Sequence, residues 1–565
     1  MKKYSGKYEY VIYFLIWLLA LSLRLWNLDS GGLNDGEAIW ALKALDLHRG
    51  EPGVITSNGL YLITTSIHFS IFGISNLGAR FWPAIMGSMI ILPVFLQRNL
   101  FGPKFAFILS VLFSMDPILV NFSREAGSSM PGIVFILLLL SFFNLKKYFI
   151  SGIMLGLVLL SGNQIWIGLT ILVISGFIYQ LLIRRGESNR ISFEYFLTGK
   201  SRLYLIFGLL GTWIIIGSGG LIYPSAINSV FNDIVSGFSL WGAIPTVSFI
   251  ELGVGLLAYA SLPIVFGVFG MIRYATKNEN NPQNLYLSLI VIVGLVVILV
   301  FPAHEVWHLI WILIPLYVLA AKQIESLDFS SDKSKALVEK LGIVVALIMM
   351  MVINLNFRGV TNSIYISPEE MQQRIISMVA VLIVFIIMII FIWYGWGVET
   401  TKRVFIIPVG IVLFIISISI LGNSLSMSNQ ITPELFDTYG EVINTGRLSE
   451  TFHGLSISKT GNAYFADIRL IDIQKPSLNW FIRDYPNAKI EEYVFDESQV
   501  DIIISKDENI ELSSEFVGQD FVWEQKINWK NMTLNNWLQW IVFRQADLEN
   551  DNFVLWSRQS LLTGD

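Results

Sequence analysis

Two carboxylates, Asp35 and Glu37, stand in Leu33-Asn34-Asp35-Gly36-Glu37-Ala38, a few residues beyond the first long apolar run of the chain. A carboxylate there meets water yet stays near the lipid headgroups, where it can take the proton of a hydroxyl attacking a lipid-borne substrate. The same residues also fit a purely structural role, in which Asn34 or Asp35 caps a helix and Glu37 favours its positive N-terminal end. Residues two apart on a helix diverge by about 200°. Both carboxylates therefore face one substrate only if Asp35 precedes the helix, and the reading takes Glu37 as base with Asp35 as helper. A carboxylate pair also suits a divalent cation. With Gly36 between the two, a site needing no metal or other cofactor is expected.

Arg24, Arg80 and Arg124 fall at the outer ends of the first three apolar runs. Planar guanidinium forks match phosphate, so the three are candidates for a lipid phosphate site, Arg124 foremost and Arg24 last. The alternatives are snorkelling to headgroups and, for Arg124, pairing with the adjacent Glu125. His304-Glu305-Val306-Trp307-His308 matches HExxH, which on a helix sets two histidines around zinc with a glutamate as base. No third ligand follows on the same side, since Glu325 and Asp328 lie a span further on. His304, Glu305 and His308 are therefore read as substrate-lining rather than as a protease centre.

These groups need elements to hold them. Of 565 residues, 54% are hydrophobic and 14% charged, too apolar for a soluble protein of this length. About thirteen apolar runs of roughly 17 to 25 residues are each long enough to cross about 30 Å of hydrocarbon as helix. They start near Tyr10, Ala79, Phe105, Pro131, Tyr148, Trp166, Leu203, Phe249, Leu285, Trp307, Ala336, Ile375 and Val404. Lys and Arg gather in alternate connections, among them Arg98, Lys104, Arg185, Arg273, Lys322 and Arg403, which assigns these connections and the N-terminus to the cytoplasm. The odd span count puts the site candidates, all five histidines and the polar tail outside a plasma or inner membrane. The first run has no small-residue cleavage site and ends in Arg24-Leu25-Trp26, an interface anchor, so it reads as a retained span.

The expected architecture is a polytopic α-helical membrane protein. It has a transmembrane domain over residues 1–427, a first outer loop over 27–78, and an outer C-terminal α/β domain over 428–565. In the loop, Glu37 to Leu45 reads as a short interfacial helix and Leu60 to Phe72 as re-entrant or interfacial. In the tail, Val500 to Ser505 reads as a strand and Leu478 to Asp484 as a helix, and its tryptophans pack a core by default, with sugar binding or lipid contact as the alternatives. Net charge of −5 leaves no nucleic-acid footprint, and the absence of cysteine excludes disulfides and thiolate metal sites.

The stretch from Leu23 to Phe143 resembles the membrane glycosyltransferases of family 39, the protein O-mannosyltransferase and aminoarabinose-transferase group of the glycosyltransferase C (GT-C) superfamily. The matching features run in order: Arg24-Leu25, an acidic pair before Ala38, Phe72-Gly73 leading into Ala79-Arg80-Phe81-Trp82-Pro83-Ala84, Phe101-Gly102, and Pro117 before Ser123-Arg124. Trp311-Ile312-Leu313-Ile314-Pro315-Leu316 and Asn479-Trp480-Phe481-Ile482-Arg483-Asp484-Tyr485-Pro486 resemble later motifs of the same family. Members usually carry adjacent Asp-Glu, which Gly36 interrupts here. Their Lys-Pro-Pro segment is replaced by Asn58-Gly59-Leu60-Tyr61, where Tyr61 is taken as substrate-lining.

The resemblance implies a GT-C fold and transfer of a sugar from a polyprenyl-phosphate-linked donor to an acceptor outside the membrane, whether protein, lipid or envelope glycan. A single displacement inverts the anomeric centre, with Glu37 as base and the arginines neutralising the departing lipid phosphate. The competing readings are a non-catalytic lipid-sugar-binding protein, a transporter or flippase, and the membrane metalloprotease. A transporter calls for charges near span centres and broken helices, and the span centres are nearly free of charge.

Overall fold

The computed structural model describes residues 5–51, 55–184, 199–277, 282–327, 332–362, 367–425, 427, 434–492, 500–506, 512–513 and 515–563. Arg185 and the domain boundary at residues 428–433 lie outside these. The first helices are α1 (Ser5–Leu25), α2 (Asp35–His48), α3 (Gly59–Phe72) and α4 (Asn76–Ser88).

Among the described residues, nine helices are long and apolar enough to cross a membrane, or eleven spans if each of two bent pairs counts as one. The chain is a multi-pass membrane protein. The expected starts near Phe105 and Phe249 fall on the bent pairs, Pro103–Met115 with Pro117–Arg124 (53°) and Phe249–Tyr259 with Ser261–Thr276 (90°). Those near Pro131 and Tyr148 fall on Met130–Asn144 and Tyr148–Leu159, helices of 15 and 12 residues that are shorter than a bilayer needs. The count of thirteen full spans is therefore not what the helix lengths give. The first break has a local cause: Pro117 pushes Asp116 out of the helical region, and Asp116 then caps the second half by accepting Leu119 N–H at 2.6 Å. Its other oxygen accepts Tyr317 OH at 2.6 Å, so the carboxylate at this break is fully engaged.

Polar residues assigned to one side of the membrane meet one another. Arg98 lies 3.4 Å from Glu9, Lys104 donates to Glu325 O at 2.7 Å, Lys322 to Asn284 at 2.7 Å, and Arg403 to Glu339 at 2.7 Å. The first loop and the tail meet at the other end. The helix expected from Glu37 to Leu45 is the longer α2, and it does not lie open at the lipid surface. Its Ala38, Ala41, Ala44, Leu45 and Leu47 are buried against Tyr61, Leu62 and Phe69 of α3 and against Trp480 of the tail.

The tail is built on one mixed sheet of β1 (Glu441–Val442), β2 (Ile468–Ile471), β3 (Lys489–Glu491), β4 (Ile502–Ser505), β5 (Phe516–Ile527) and β6 (Leu548–Arg558). The order is β1-β5-β6-β4-β2-β3, with β3, β2 and β4 parallel and the other pairs antiparallel. Both faces of β2 and β4 are buried, which is why Ile502-Ile503-Ile504 is continuously apolar. Trp480, Trp523 and Trp540 are fully buried, as packing residues should be. Trp540 lies in the core of the membrane bundle, beside Trp529 and Trp537, and so fastens the tail to it.

Candidate active site

The α2 N-terminus is capped by Asn34, whose side chain accepts Glu37 N–H at 2.9 Å, while Glu37 Oε2 accepts Asn34 N–H at 3.3 Å. This capping box aims the Glu37 carboxylate backward into the protein. There it forms a bidentate pair with Arg80 of α4, Nε to Oε1 at 2.7 Å and Nη2 to Oε2 at 2.6 Å, and Oε1 also accepts Ala126 N–H at 3.0 Å. Four donors thus occupy the two oxygens of a side chain that is 4% exposed. The remaining Arg80 donors hold the carbonyls of Leu28, Ser30 and Gly32 at 3.0–3.3 Å, which uses all five N–H groups of the guanidinium. Glu37 and Arg80 together pin the first loop.

Asp35 points elsewhere. Its Oδ1 accepts Ser477 N–H at 2.9 Å, at the start of the tail helix Pro476–Phe481. Gly36 between them leaves room for a ring: a Cβ there would stand 2.6 Å from Tyr439 Cε2. The chain around Tyr439 crosses the first loop, and Gly32 N–H reaches Val442 O at 3.4 Å.

Between this crossing, the loop and the end of the helix Pro117–Arg124 lies a cavity of about 150 Å³, lined by Glu37, Arg80, Arg124, Glu125, Glu434, Asp437 and Glu441 among others. The Glu125 carboxylate forms no hydrogen bond or ion pair among the described residues, its backbone carbonyl accepting Ser128 N–H at 3.3 Å, and the alternative pairing with Arg124 does not form. Burial, followed by the charges of Glu37, Glu305 and Asp437, raises its pKa well above the ordinary carboxylate value. Burial likewise raises Asp437 to about 6 and Glu434 and Glu441 to about 7. Near neutral pH the cavity therefore holds protons and is less negative than its carboxylate count implies. Glu434 is further engaged by Tyr259 OH at 2.5 Å and by Arg544 Nε at 3.2 Å.

The three arginines are not equivalent. Arg124 lines the acidic cavity and closes the end of α1 through Nη1, which donates to the carbonyls of Leu23, Arg24 and Trp26; its Nε and Nη2 have no partner among the described residues. Arg24 is 0% exposed and does not line the cavity; Nη1 donates to Ala20 O at 3.1 Å, and Nε and Nη2 are buried without hydrogen-bond partners among the described residues.

The HExxH segment is not helical at its start, and a 3₁₀ turn covers only Val306–Leu309. His304 presents both ring nitrogens to carbonyls, Phe301 O at 2.7 Å and Val247 O at 2.8 Å, and His308 Nδ1 accepts Glu305 N–H at 2.9 Å. Glu305 accepts Trp307 Nε1–H at 2.7 Å. The two histidines thus lack the shared helix face that the zinc motif requires. Among the described residues, no three His, Asp or Glu side chains are grouped so as to hold a metal ion. Glu305 and His308 line a separate aromatic cavity. Tyr61 donates to Ala79 O at 3.0 Å and lines an apolar groove of about 370 Å³ between α3, α4 and the two short helices, with Trp82, Met86, Phe135 and Met154.

A bundle with broken and shortened helices, its cavity on the first loop and a mixed α/β domain joined to it has the fold of the solved structures of ArnT, the kind of fold that the resemblance implied. The crystal structure of ArnT from Cupriavidus metallidurans bound to undecaprenyl phosphate matches it with a TM-score of 0.55 and 13% identity, over 99% of each chain. The same ArnT in the apo state gives 0.54 and 12%, again over 99% of each chain. The oligosaccharyltransferase AglB from Archaeoglobus fulgidus, in complex with an inhibitory peptide and a dolichol-phosphate, gives 0.44 and 12%, over 89% of this chain and 70% of that one. No protein-family model and no curated protein sequence matches the chain.

Glu37, Arg80 and Arg124 thus share one cavity, whereas Asp35, Arg24, Tyr61 and the histidines lie outside it. Glu125, Asp437 and Glu441, none of them among the residues expected from sequence to do chemistry, complete the cavity's acidic lining with Glu434. The only sequence signal for Glu125 is its place just after Arg124 at a span end; nothing ties the two tail acids to residues some 400 positions earlier.

Proposed function

We propose that this chain is an inverting membrane glycosyltransferase that moves a sugar from a polyprenyl-phosphate-linked donor to an acceptor on the extracytoplasmic side. The observation that carries the reading is the pairing, in one cavity, of a carboxylate without a partner, Glu125, with an arginine that keeps open donors, Arg124. ArnT, which shares the fold, binds undecaprenyl phosphate in its crystal structure. The apolar groove beside Tyr61 suits the polyprenyl chain, because α4 lines the groove with Trp82 and Met86 and the cavity with Arg80.

In this reading an acceptor hydroxyl attacks the anomeric carbon and its proton passes to the Glu125 carboxylate. The bond from the anomeric carbon to the phosphate oxygen breaks, and the lipid phosphate leaves with the electron pair toward Arg124. General-base help of this kind contributes about 10² to 10⁴ in rate. Glu37 keeps its place but changes role. Its oxygens are filled, so it orients Arg80 and, through Ala126 N–H, the backbone that carries Glu125. No step needs a metal ion.

The test is purified protein with a panel of radiolabelled polyprenyl-phosphate sugars and membrane extract. Wild type is expected to consume one donor, and Glu125→Gln to lose at least about 100-fold of that rate. No consumption by wild type, or equal consumption by Glu125→Gln, overturns the reading.

A further inference from the structure

A second cavity of about 240 Å³ adjoins the acidic one, and Trp307 lines both. Its walls are unusually aromatic for a polar-edged space: Trp40, Trp166, Trp241, Phe238, Phe301 and Trp307. Two polar atoms on this wall, Gln164 Oε1 and Trp166 Nε1, are buried without a hydrogen-bond partner among the described residues. A buried acceptor and a buried donor left open both lose the hydrogen bonds that water gave them, so their occurrence together in one cavity needs a reason. Asn163, Thr170, Glu305 and His308 also line the cavity, with Nδ1 of His308 already occupied by Glu305 N–H and the Thr170 hydroxyl donating to Trp166 O.

The wall between the cavities is held by ring contacts and one side-chain hydrogen bond. Trp307 stacks on Phe122, a residue of the acidic cavity, at 4.9 Å and 1°, and its indole N–H is held by Glu305. Trp241 packs edge-on against Phe301 at 5.2 Å. Glu305 on this side is close enough to Glu125 on the other for its charge to raise the Glu125 pKa. A ligand in the aromatic cavity is therefore separated from the acidic cavity by the Trp307 wall.

We propose that this cavity is a monosaccharide subsite, a conclusion that rests on the glycosyltransferase reading and specifies where one sugar ring is held. A pyranose ring has apolar C–H faces that suit indole walls, and hydroxyls that supply both a donor for Gln164 Oε1 and an acceptor for Trp166 Nε1. The volume is below the roughly 300 Å³ at which drug-sized ligands begin to fit, so the cavity admits one ring and no oligosaccharide. A site built to hydrogen-bond particular hydroxyls rejects sugars that lack them, which makes Gln164 and Trp166 specificity-determining residues.

The sugar belongs either to the lipid-linked donor or to a glycan acceptor, and the experiment separates the two. Trp166→Phe keeps a ring and removes the N–H, Gln164→Leu removes the acceptor, and both variants are first checked for an unchanged melting temperature. If the donor sugar occupies the cavity, affinity for the polyprenyl-phosphate sugar falls about tenfold in each variant, while affinity for sugar-free polyprenyl phosphate stays at the wild-type value. If the acceptor sugar occupies it, donor binding is unchanged and the KM for a glycan acceptor rises instead. Variants that alter neither, or that weaken sugar-free lipid equally, overturn the subsite. Should wild type bind no lipid-linked sugar at all, the glycosyltransferase reading fails. The cavity is then tested alone with free monosaccharides by saturation-transfer NMR. Signals present in wild type and lost in both variants uphold the subsite, and their absence in wild type overturns it as well.

Discussion

The carboxylate of Asp35 accepts the backbone N–H of Ser477 at 2.9 Å, joining the first loop to a tail helix 442 positions later. A residue whose type and position suggested proton transfer is thus engaged in docking the C-terminal domain. The sequence neighbour Glu37 is engaged as well, with Arg80 and Ala126 N–H, so the two carboxylates make separate contacts.

Docking and proton transfer make opposite demands on Asp35. Asn keeps an acceptor oxygen for Ser477 N–H but cannot act as a base. We expect Asp35→Asn to retain most wild-type turnover, and Asp35→Ala to destabilise the tail by about 1–3 kcal/mol through an unpaired buried N–H. Limited proteolysis of the tail and thermal melting in detergent measure this. A dead Asp35→Asn with a wild-type melt would restore Asp35 to the chemistry.

Breaking the Glu37–Arg80 pair leaves a buried charge alone, which typically costs about 3–5 kcal/mol. Glu37→Gln and Arg80→Met should therefore both melt well below wild type, and Arg80→Lys should not restore the fork. Glu125→Gln should behave differently. It replaces an unpartnered carboxylate in a site that disfavours charge, so activity falls while the melting temperature holds or rises. If Glu125→Gln and Glu37→Gln lose stability equally, the two carboxylates do not have the separate roles given them here.

The pH profile follows from the direction of the shifts. Glu125 acts as base only when ionised, and its pKa lies well above the ordinary value of 4.5, so activity should fall with acidification at a pH higher than a free glutamate would give. Glu441 is raised to about 7, which means that the folded state holds its proton more tightly than the unfolded one. Its contribution to stability is therefore present below the unfolded pKa and is lost as pH rises through about 7. Relative to wild type, Glu441→Gln should gain melting temperature at pH 8 and little at pH 5. A gain that is the same at both pH values would contradict the assigned shift.

Much of the architecture was legible because the bilayer enforces it. Each expected span start falls on a helix, since apolar length is a property of contiguous residues. Span length was less legible: Met130–Asn144 and Tyr148–Leu159 stop early, and Asp116-Pro117 breaks a run that composition alone reads as continuous. The capping role of Asn34 was readable from its spacing to Glu37, because a capping box is local. HExxH was misleading in isolation, because the motif implies zinc only on a helix, and here its first two residues are not helical.

By itself, then, the sequence determined that this is a membrane protein with its chemistry-bearing groups around the first loop, because hydropathy and loop charge are read along the chain. Only the tertiary structure decided which of those groups are free. Glu37 is filled by Arg80, 43 positions on, and by Ala126 N–H, 89 positions on; Asp35 is taken by the tail, and Gly36 is kept small by the ring of Tyr439. Each donor that a carboxylate accepts lowers its readiness to take a proton, and those donors are brought to it by folding.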